Sequence, residues 1–226
     1  VETIALAEVA AVLADPSRAA MCLALLDGRA WTVGELARSA GVAPSTASEH
    51  VARLVTAGFV VGVRQGRHRY VRIGDPRVAD LIEHLAQHAQ HRAPTGLRDG
   101  LRVRRLAFAR TCYDHLAGTV GVALHDGMLR TGLISAGSGL ALTPHGRAVL
   151  DQLGVGVPAG GRRPLLRGCL DWTQRRDHLG GALAAALFAH GVGAGWFERR
   201  PDRAVHVTAA AAEPLARLGV RLPGAA

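Results

Sequence analysis

The chain contains no lysine; all 27 of its basic residues are arginine. Aromatic residues occupy only 4% of its 226 positions, so a core must be built mainly from Ala, Leu and Val. Three cysteines, Cys22, Cys112 and Cys169, are too few for a disulfide framework. Long apolar runs are missing too. The longest, Ala182 to Ala189, is far too short to span a bilayer. The first residues lack the charged, then apolar, then small order of a secretion signal. These absences together predict a cytoplasmic protein with no membrane association.

Apolar residues make up 49% of the chain, which excludes disorder as the default state. The length suits one large domain or two small ones. A net charge of +9 calls for an anionic partner, and nucleic acid is the commonest. Exclusive use of arginine is also a composition bias, so charge alone does not identify that partner.

The first ninety residues read as a succession of short helices. Ile4 to Ala14 has helical apolar spacing. In "LADPSRAAMCLALL", Asp15 caps the next helix and Pro16 suits its first turn, with Leu23, Leu25 and Leu26 as the buried face. Thr32 and Glu35 have the spacing of a capping box, which starts a third helix through Arg38. Gly41 breaks the chain before "APSTASEHVARLVTAG". In that fourth helix Ala47, Val51, Leu54 and Val55 share one face. Ser45, Thr46, Ser48, Glu49 and Arg53 crowd the other near its start, where short hydroxyl side chains and an arginine reach base edges and phosphates. Two helices joined at Gly41 with this polarity form a helix-turn-helix. Gly58 ends the fourth helix. "FVVGVRQGRHRYVRI" then alternates as a hairpin about Gly66, with Arg64, Arg67, His68 and Arg69 at its tip. A basic hairpin behind such a helix is placed to meet phosphate or the minor groove.

Three stretches in this order resemble the ArsR family of winged-helix repressors: "LADPSRAAMCLALL", "STASEHVARLVTAGFV" with Ser48 and His50, and "RQGRHRYVRI". The resemblance covers about residues 4 to 90. It implies a homodimeric repressor that leaves a double-stranded DNA operator when an effector binds. Many relatives have Ser where this chain has Ala43, which leaves the recognition helix without a good cap. "DPRVADLIEHLAQHAQH" would be the closing helix, which in the family helps to form the dimer, with Val78, Leu81, Ile82 and Leu85 as its stripe. The Cys-x-Cys metal pair that some members carry in the third helix is absent from "TVGELARS". Asp80, His84, His88 and His91 on the closing helix are an alternative metal set, though their spacing does not match the family's zinc pattern.

"HRAPTGLRDG" reads as a linker. The expected organisation is a DNA-binding and dimerisation domain over 1–92, a linker over 93–100, and a sensor or accessory domain over 101–226. That last part carries an internal repeat. Asp114-His115-Leu116-Ala117-Gly118 answers Asp177-His178-Leu179-Gly180-Gly181. Each leads into a helix, then a hairpin (Leu133 to Ser135 and Trp196 to Glu198 as first strands), then a helix capped by Thr143 or Thr208. The expected fold is α+β and mainly helical, with two helix-hairpin-helix copies after the winged helix.

If two helices cross at Gly118, Gly121, Gly180 and Gly181, His115 and His178 face one another. Cys112 and Cys169 then join them, a set suited to a zinc-like divalent metal. Asp114 and Asp171 would support the two imidazoles. The same residues also suit a helix junction in an ordinary core, or a small-molecule pocket lined by Tyr113, Trp172, Trp196 and Phe197. A redox switch through the two cysteines is a further alternative. Cys112, His115 and Asp114 are the residue types of a nucleophile, base and orienter, but as neighbours on one helix start they would diverge, so no enzyme is expected. The remaining rival to an effector-released repressor is an architectural DNA-binding protein that needs no effector. The C-terminal part also resembles that of a subgroup of ArsR-like regulators with "CYDHLAG" and "CLDW" segments, and this resemblance fixes no effector.

Overall fold

A computed structural model describes residues 6–65, 68–89, 97–161 and 163–221. The chain divides into two compact units, Val1–Leu85 and Ala86–Ala226. No helix among the described residues is long and apolar enough to cross a membrane.

The first unit runs α1 (Leu6–Leu13), α2 (Pro16–Leu25), β1 (Trp31–Thr32), α3 (Val33–Ala40), α4 (Pro44–Thr56), β2 (Val60–Gln65), β3 (His68–Ile73) and α5 (Pro76–His88), whose last turn belongs to the second unit. Its local rules are met one by one. The Asp15 carboxylate accepts the Arg18 N–H at 2.9 Å. Thr32 and Glu35 close a capping box, with the Thr32 N–H donating to Glu35 Oε2 at 2.7 Å. Gly41 ends α3 in the left-handed conformation, φ 68°, which costs glycine least. The strands form one antiparallel sheet in the order β1-β3-β2. Met21, Cys22, Leu25, Leu36, Ala47, Leu54 and Val71 fill the core. Burial pushes the Cys22 thiol up to about 12, so it is an apolar filler here. Four expected apolar positions face outward instead. Leu23 is replaced on the buried side of α2 by Met21 and Cys22, Val55 is exposed on α4, and Leu81 and Leu85 are exposed on α5, where only Ile82 of the expected stripe is buried.

After the last turn of α5 the second unit continues with α6 (Leu97–Phe108), so the last residues of the expected linker are helical; residues 90–96 lie outside the described residues. Then come the hairpin β4 (Arg110–Cys112) with β5 (His115–Ala117), helix α7 (Thr119–Arg130), the hairpin β6 (Ile134–Ala136) with β7 (Leu140–Leu142), and α8 (Pro144–Gln152). The same order follows again: β8 (Arg167–Leu170) with β9 (Asp177–Gly180), α9 (Ala182–Gly193), β10 (Phe197–Arg199) with β11 (Val205–Val207), and a 3-10 turn leading into α10 (Ala212–Arg217). One expectation is corrected here. "RTCYDHLAG" and "RGCLDWTQRRDHLGG" are hairpins, not helix starts. Of these strand residues only Thr111 has a strand preference, so the hairpins owe their form to pairing and burial, and Gly118 and Gly181 begin α7 and α9 only after the strands have ended. A second correction concerns caps. The Thr143 hydroxyl accepts from Gly146 N–H at 2.9 Å and caps α8, whereas the Thr208 hydroxyl donates to the Gly195 carbonyl at 2.6 Å and caps nothing.

Helices and hairpins pack crosswise: α7 lies on β9 and α9 on β5. Leu116, Val120, Leu124, Met128, Leu179, Leu183, Leu187, Phe188 and Phe197 belong to one continuous core. Each fully buried Leu or Phe side chain contributes about 1.5–3 kcal/mol relative to exposure.

Candidate functional site

On α4, Ser45, Ser48, Glu49 and Arg53 are exposed and Thr46 half-buried, while Ala47, Val51 and Leu54 hold the helix to the core. The Ser48 hydroxyl donates to the Pro44 carbonyl at 2.9 Å and retains lone pairs for a further partner. Ala43 stands at the N-cap without a side-chain bond, which leaves backbone N–H groups at the start of α4 without that partner. His50 departs from the expected set. Its ring turns inward, 3.9 Å from the Asp15 carboxylate. On the β2–β3 hairpin Arg64 and Arg69 are exposed and directly opposite in register. Like charges in that position destabilise a bare hairpin. Arg72, which the sequence reading passed over, is exposed further along β3. Arg67 and the side chain of His68 lie outside the described residues.

The second unit holds a different kind of site. Cys112 and His115 are register partners across β4–β5, and Cys169 and His178 are register partners across β8–β9. The two hairpins bring these side chains face to face. Cys112 Sγ and Cys169 Sγ are 3.9 Å apart, and His115 Nε2 and His178 Nε2 are 3.1 Å apart. All four candidate ligand atoms lie within 4.8 Å of one another, and all four residues are buried. Among the described residues they are the one such group of His, Cys and acidic side chains.

Two carboxylates stand behind the imidazoles. His115 Nδ1 donates to Asp114 Oδ1 at 3.1 Å, and Asp114 also accepts from both guanidinium nitrogens of Arg163. His178 Nδ1, buried and without a formed hydrogen bond, faces Asp171 Oδ2 at 3.5 Å. Asp171 is fully buried. It pairs with the equally buried Arg110 at 3.0 Å, and accepts from Gly118 N–H at 2.6 Å and from the Thr173 hydroxyl at 2.6 Å. The Arg110 guanidinium also lies over the Trp172 ring at 4.6 Å. Neither Arg110 nor Arg163 was singled out from the sequence.

Burial alone would raise both carboxylates, yet both are held at about 2. For Asp171 the Arg110 charge and the Thr173 and Gly118 bonds prevail; for Asp114 the bonds from His115 and Arg163 do. The Cys169 thiol is drawn well below the usual thiol range, first by its hydrogen bond with Cys112, against burial and with help from both histidines. Burial opposes charge on His115, but its bonds with Asp114 and Cys169 outweigh that and raise its pKa.

The other sequence candidates fall apart. Asp80, His84 and His88 form no cluster among the described residues; His84 Nδ1 contacts the Asp80 carbonyl of its own helix at 2.7 Å. His91 lies outside the described residues. The four expected pocket aromatics occupy different surroundings. Trp196 and Phe197 are core residues, Trp172 lies under Arg110, and Tyr113 sits in the β4–β5 turn at φ 58°. A cleft in the second unit is lined by Arg105, Phe108, Arg200 and Pro201, among others, and by none of the four. The expected divergence of Cys112, Asp114 and His115 is also corrected, because a hairpin makes them converge. They converge in the interior, where Cys112 and His115 have almost no surface for a substrate to reach.

Residues 13–63 match the HTH_20 family, a helix-turn-helix domain. Over 207 residues the chain is 37% identical to the uncharacterized HTH-type transcriptional regulator YdfF of Bacillus subtilis, a match spanning 90% of this chain and 92% of that one. It is 39% identical over 70 residues to a probable mercury resistance operon repressor of Streptomyces lividans, covering 31% of this chain and 55% of the other. It is 36% identical over 83 residues to the HTH-type transcriptional regulator CmtR of Mycobacterium tuberculosis, covering 37% of this chain and 70% of the other.

Proposed function

The chain belongs to the ArsR family of winged helix-turn-helix transcriptional regulators, and from that premise we propose a homodimeric repressor that reads a double-stranded operator in the cytoplasm and is released by an effector bound in or near its second unit. The observation that carries DNA reading is the opposed pair Arg64 and Arg69, beside an α4 face of exposed Ser45, Ser48, Glu49 and Arg53. A phosphate between two facing arginines turns a repulsive pair into a clamp. The hydroxyls and Arg53 are placed for base edges and backbone of the major groove.

Dimerisation is supported by apolar side chains that the first unit leaves in water: Leu6 and Val9 on α1, Leu81 and Leu85 on α5, each more than a third exposed. Two recognition helices are also what two half-sites one DNA turn apart require. We read residues 101–226, within the second unit, as two copies of one hairpin-helix-hairpin-helix plan, and the donor cluster there as suited to a zinc-like divalent cation. Release then requires that the effector bind the DNA-free state better than the DNA-bound one.

The test is binding to the chain's own upstream promoter and to random DNA of equal length, at physiological salt. The repressor reading expects a preference of about 10³ or more. Equal affinity for both would instead support an architectural DNA-binding protein. Sedimentation of the full chain checks the dimer.

A further inference from the structure

We propose that Cys112, His115, Cys169 and His178 form a closed, tetrahedral site for a zinc-class divalent cation that staples the two hairpins β4–β5 and β8–β9 together. The assignment stands on the second unit alone and does not depend on DNA reading.

The first argument is the state of the two imidazoles. An ionised carboxylate only accepts hydrogen bonds, so His115 carries its proton on Nδ1, toward Asp114. His178 directs its Nδ1 toward Asp171. In the tautomer that puts both protons on Nδ1, facing the carboxylates, the two Nε2 atoms present lone pairs to each other across 3.1 Å. Two facing acceptors need something electrophilic between them: an added proton or a metal. Two sulfur atoms beside them favour the metal.

The second argument is size. A zinc ion with bonds of about 2.3 Å to sulfur and about 2.0–2.1 Å to nitrogen sets tetrahedral edges of about 3.8 Å between sulfurs and about 3.3 Å between nitrogens. The observed edges are 3.9 and 3.1 Å. The longest separation among the four atoms, at most 4.8 Å, exceeds an ideal sulfur–nitrogen edge by about 1 Å, and side-chain torsion closes that gap.

Charge gives the third argument. Arg110 neutralises Asp171 and Arg163 neutralises Asp114. A metal that displaces both thiol protons faces two thiolates, and a dication leaves that buried centre neutral. A monovalent ion would leave a buried negative charge. Hard oxygen-seeking ions such as magnesium find no oxygen in the set. Four protein ligands fill a tetrahedron and leave no open position, so the site is a staple, not a Lewis-acid catalyst. Its ligands come in pairs from two hairpins far apart in the chain, so the ion joins them and its binding free energy becomes stability of the second unit.

The experiment loads reduced, chelator-treated full-length protein with Zn2+, removes the excess, and counts metal by elemental analysis; a Co2+-loaded sample is read by visible absorption. About one ion per chain is expected, with the intense ligand-field bands of tetrahedral cobalt and a thiolate charge-transfer band. The Cys112→Ser, Cys169→Ser variant should lose both. If it does not fold, His178→Cys keeps a ligand in place and should retain the ion with a shifted cobalt spectrum. An Arg64→Ala variant, impaired on DNA, should still take up one ion, which separates this proposal from the repressor reading. Folded, reduced wild type that binds no zinc overturns the site and leaves a proton-bridged histidine pair. Full metal content in the double serine variant overturns it as well. So does a Cys112–Cys169 disulfide in protein that takes up no metal after reduction.

Discussion

Hairpins β4–β5 and β8–β9 of the second unit carry the same Cys–His register on different loops. In β4–β5 the pair is three residues apart, closed by Tyr113 and Asp114; in β8–β9 it is nine apart, closed by a longer loop beginning at Asp171. Spacing along the chain therefore hides an identity that pairing across the strands reveals. The supporting carboxylates differ more. Asp114 is partly exposed and is held by the partly exposed Arg163, whereas Asp171 and Arg110 have no exposed surface at all. The arginines also cross over. Arg110 of the first hairpin serves the carboxylate of the second, and Arg163, just before the second, serves the carboxylate of the first. The ligands are thus matched while the electrostatic support is lopsided, with most of the buried charge behind His178.

The sharpest way to break this comparison is to remove one partner of the buried pair. Asp171→Asn leaves Arg110 uncompensated in the interior and should cost about 3–5 kcal/mol in chemical denaturation. It also deprives His178 of its carboxylate and should weaken metal affinity by about 10–100-fold. Acid titration tests the same pair. Asp171 falls from an ordinary 3.8 to about 2 in the folded chain, so the unfolded state binds more protons between those values. Stability from this group is complete above about 4 and lost as pH falls toward 2, a difference of about 2 kcal/mol. Denaturation midpoints of wild type should fall across that window, and those of Asp171→Asn should fall less. Parallel curves would show that Asp171 is not the group responsible.

The two halves should respond alike where they are built alike. Gly118 and Gly181 both precede their helices at positive φ, 81° and 100°, and a Cβ on either would meet a backbone oxygen at 2.7 Å, that of Ala107 or Leu165. Alanine at either position should cost about 1–3 kcal/mol in thermal unfolding, from conformation and contact together. A large cost at one and none at the other would mean that the likeness of the two halves stops at the ligands.

Most of the first unit was legible because its signals are local. Asp15, the Thr32–Glu35 box, Gly41 and the alternation of the wing each act within a few residues. The cluster was partly legible, since the residue types could be named while the elements that carry them could not. Strands β4 and β5 are three residues long and buried throughout, so they show no alternation to tell them from a helix start. Arg110 and Asp171 lie 61 positions apart, and no local pattern announces a pair of that kind. His50 is expected with the DNA-facing set from its place in the α4 segment, and no local pattern announces that its ring lies 3.9 Å from the Asp15 carboxylate.

The smallest effect sharpens the lopsidedness from the other side. Arg163→Ala removes a pair that water already reaches, and exposed pairs contribute about 0–1 kcal/mol. Unfolding should therefore move by less than about 1 kcal/mol. Asp114 keeps its bond from His115, so the tautomer of that ring should be unchanged by NMR of its nitrogens. A loss as large as that of Asp171→Asn would place equal weight on both carboxylates. The asymmetry would then belong to solvent exposure alone, and not to the energetics of the centre.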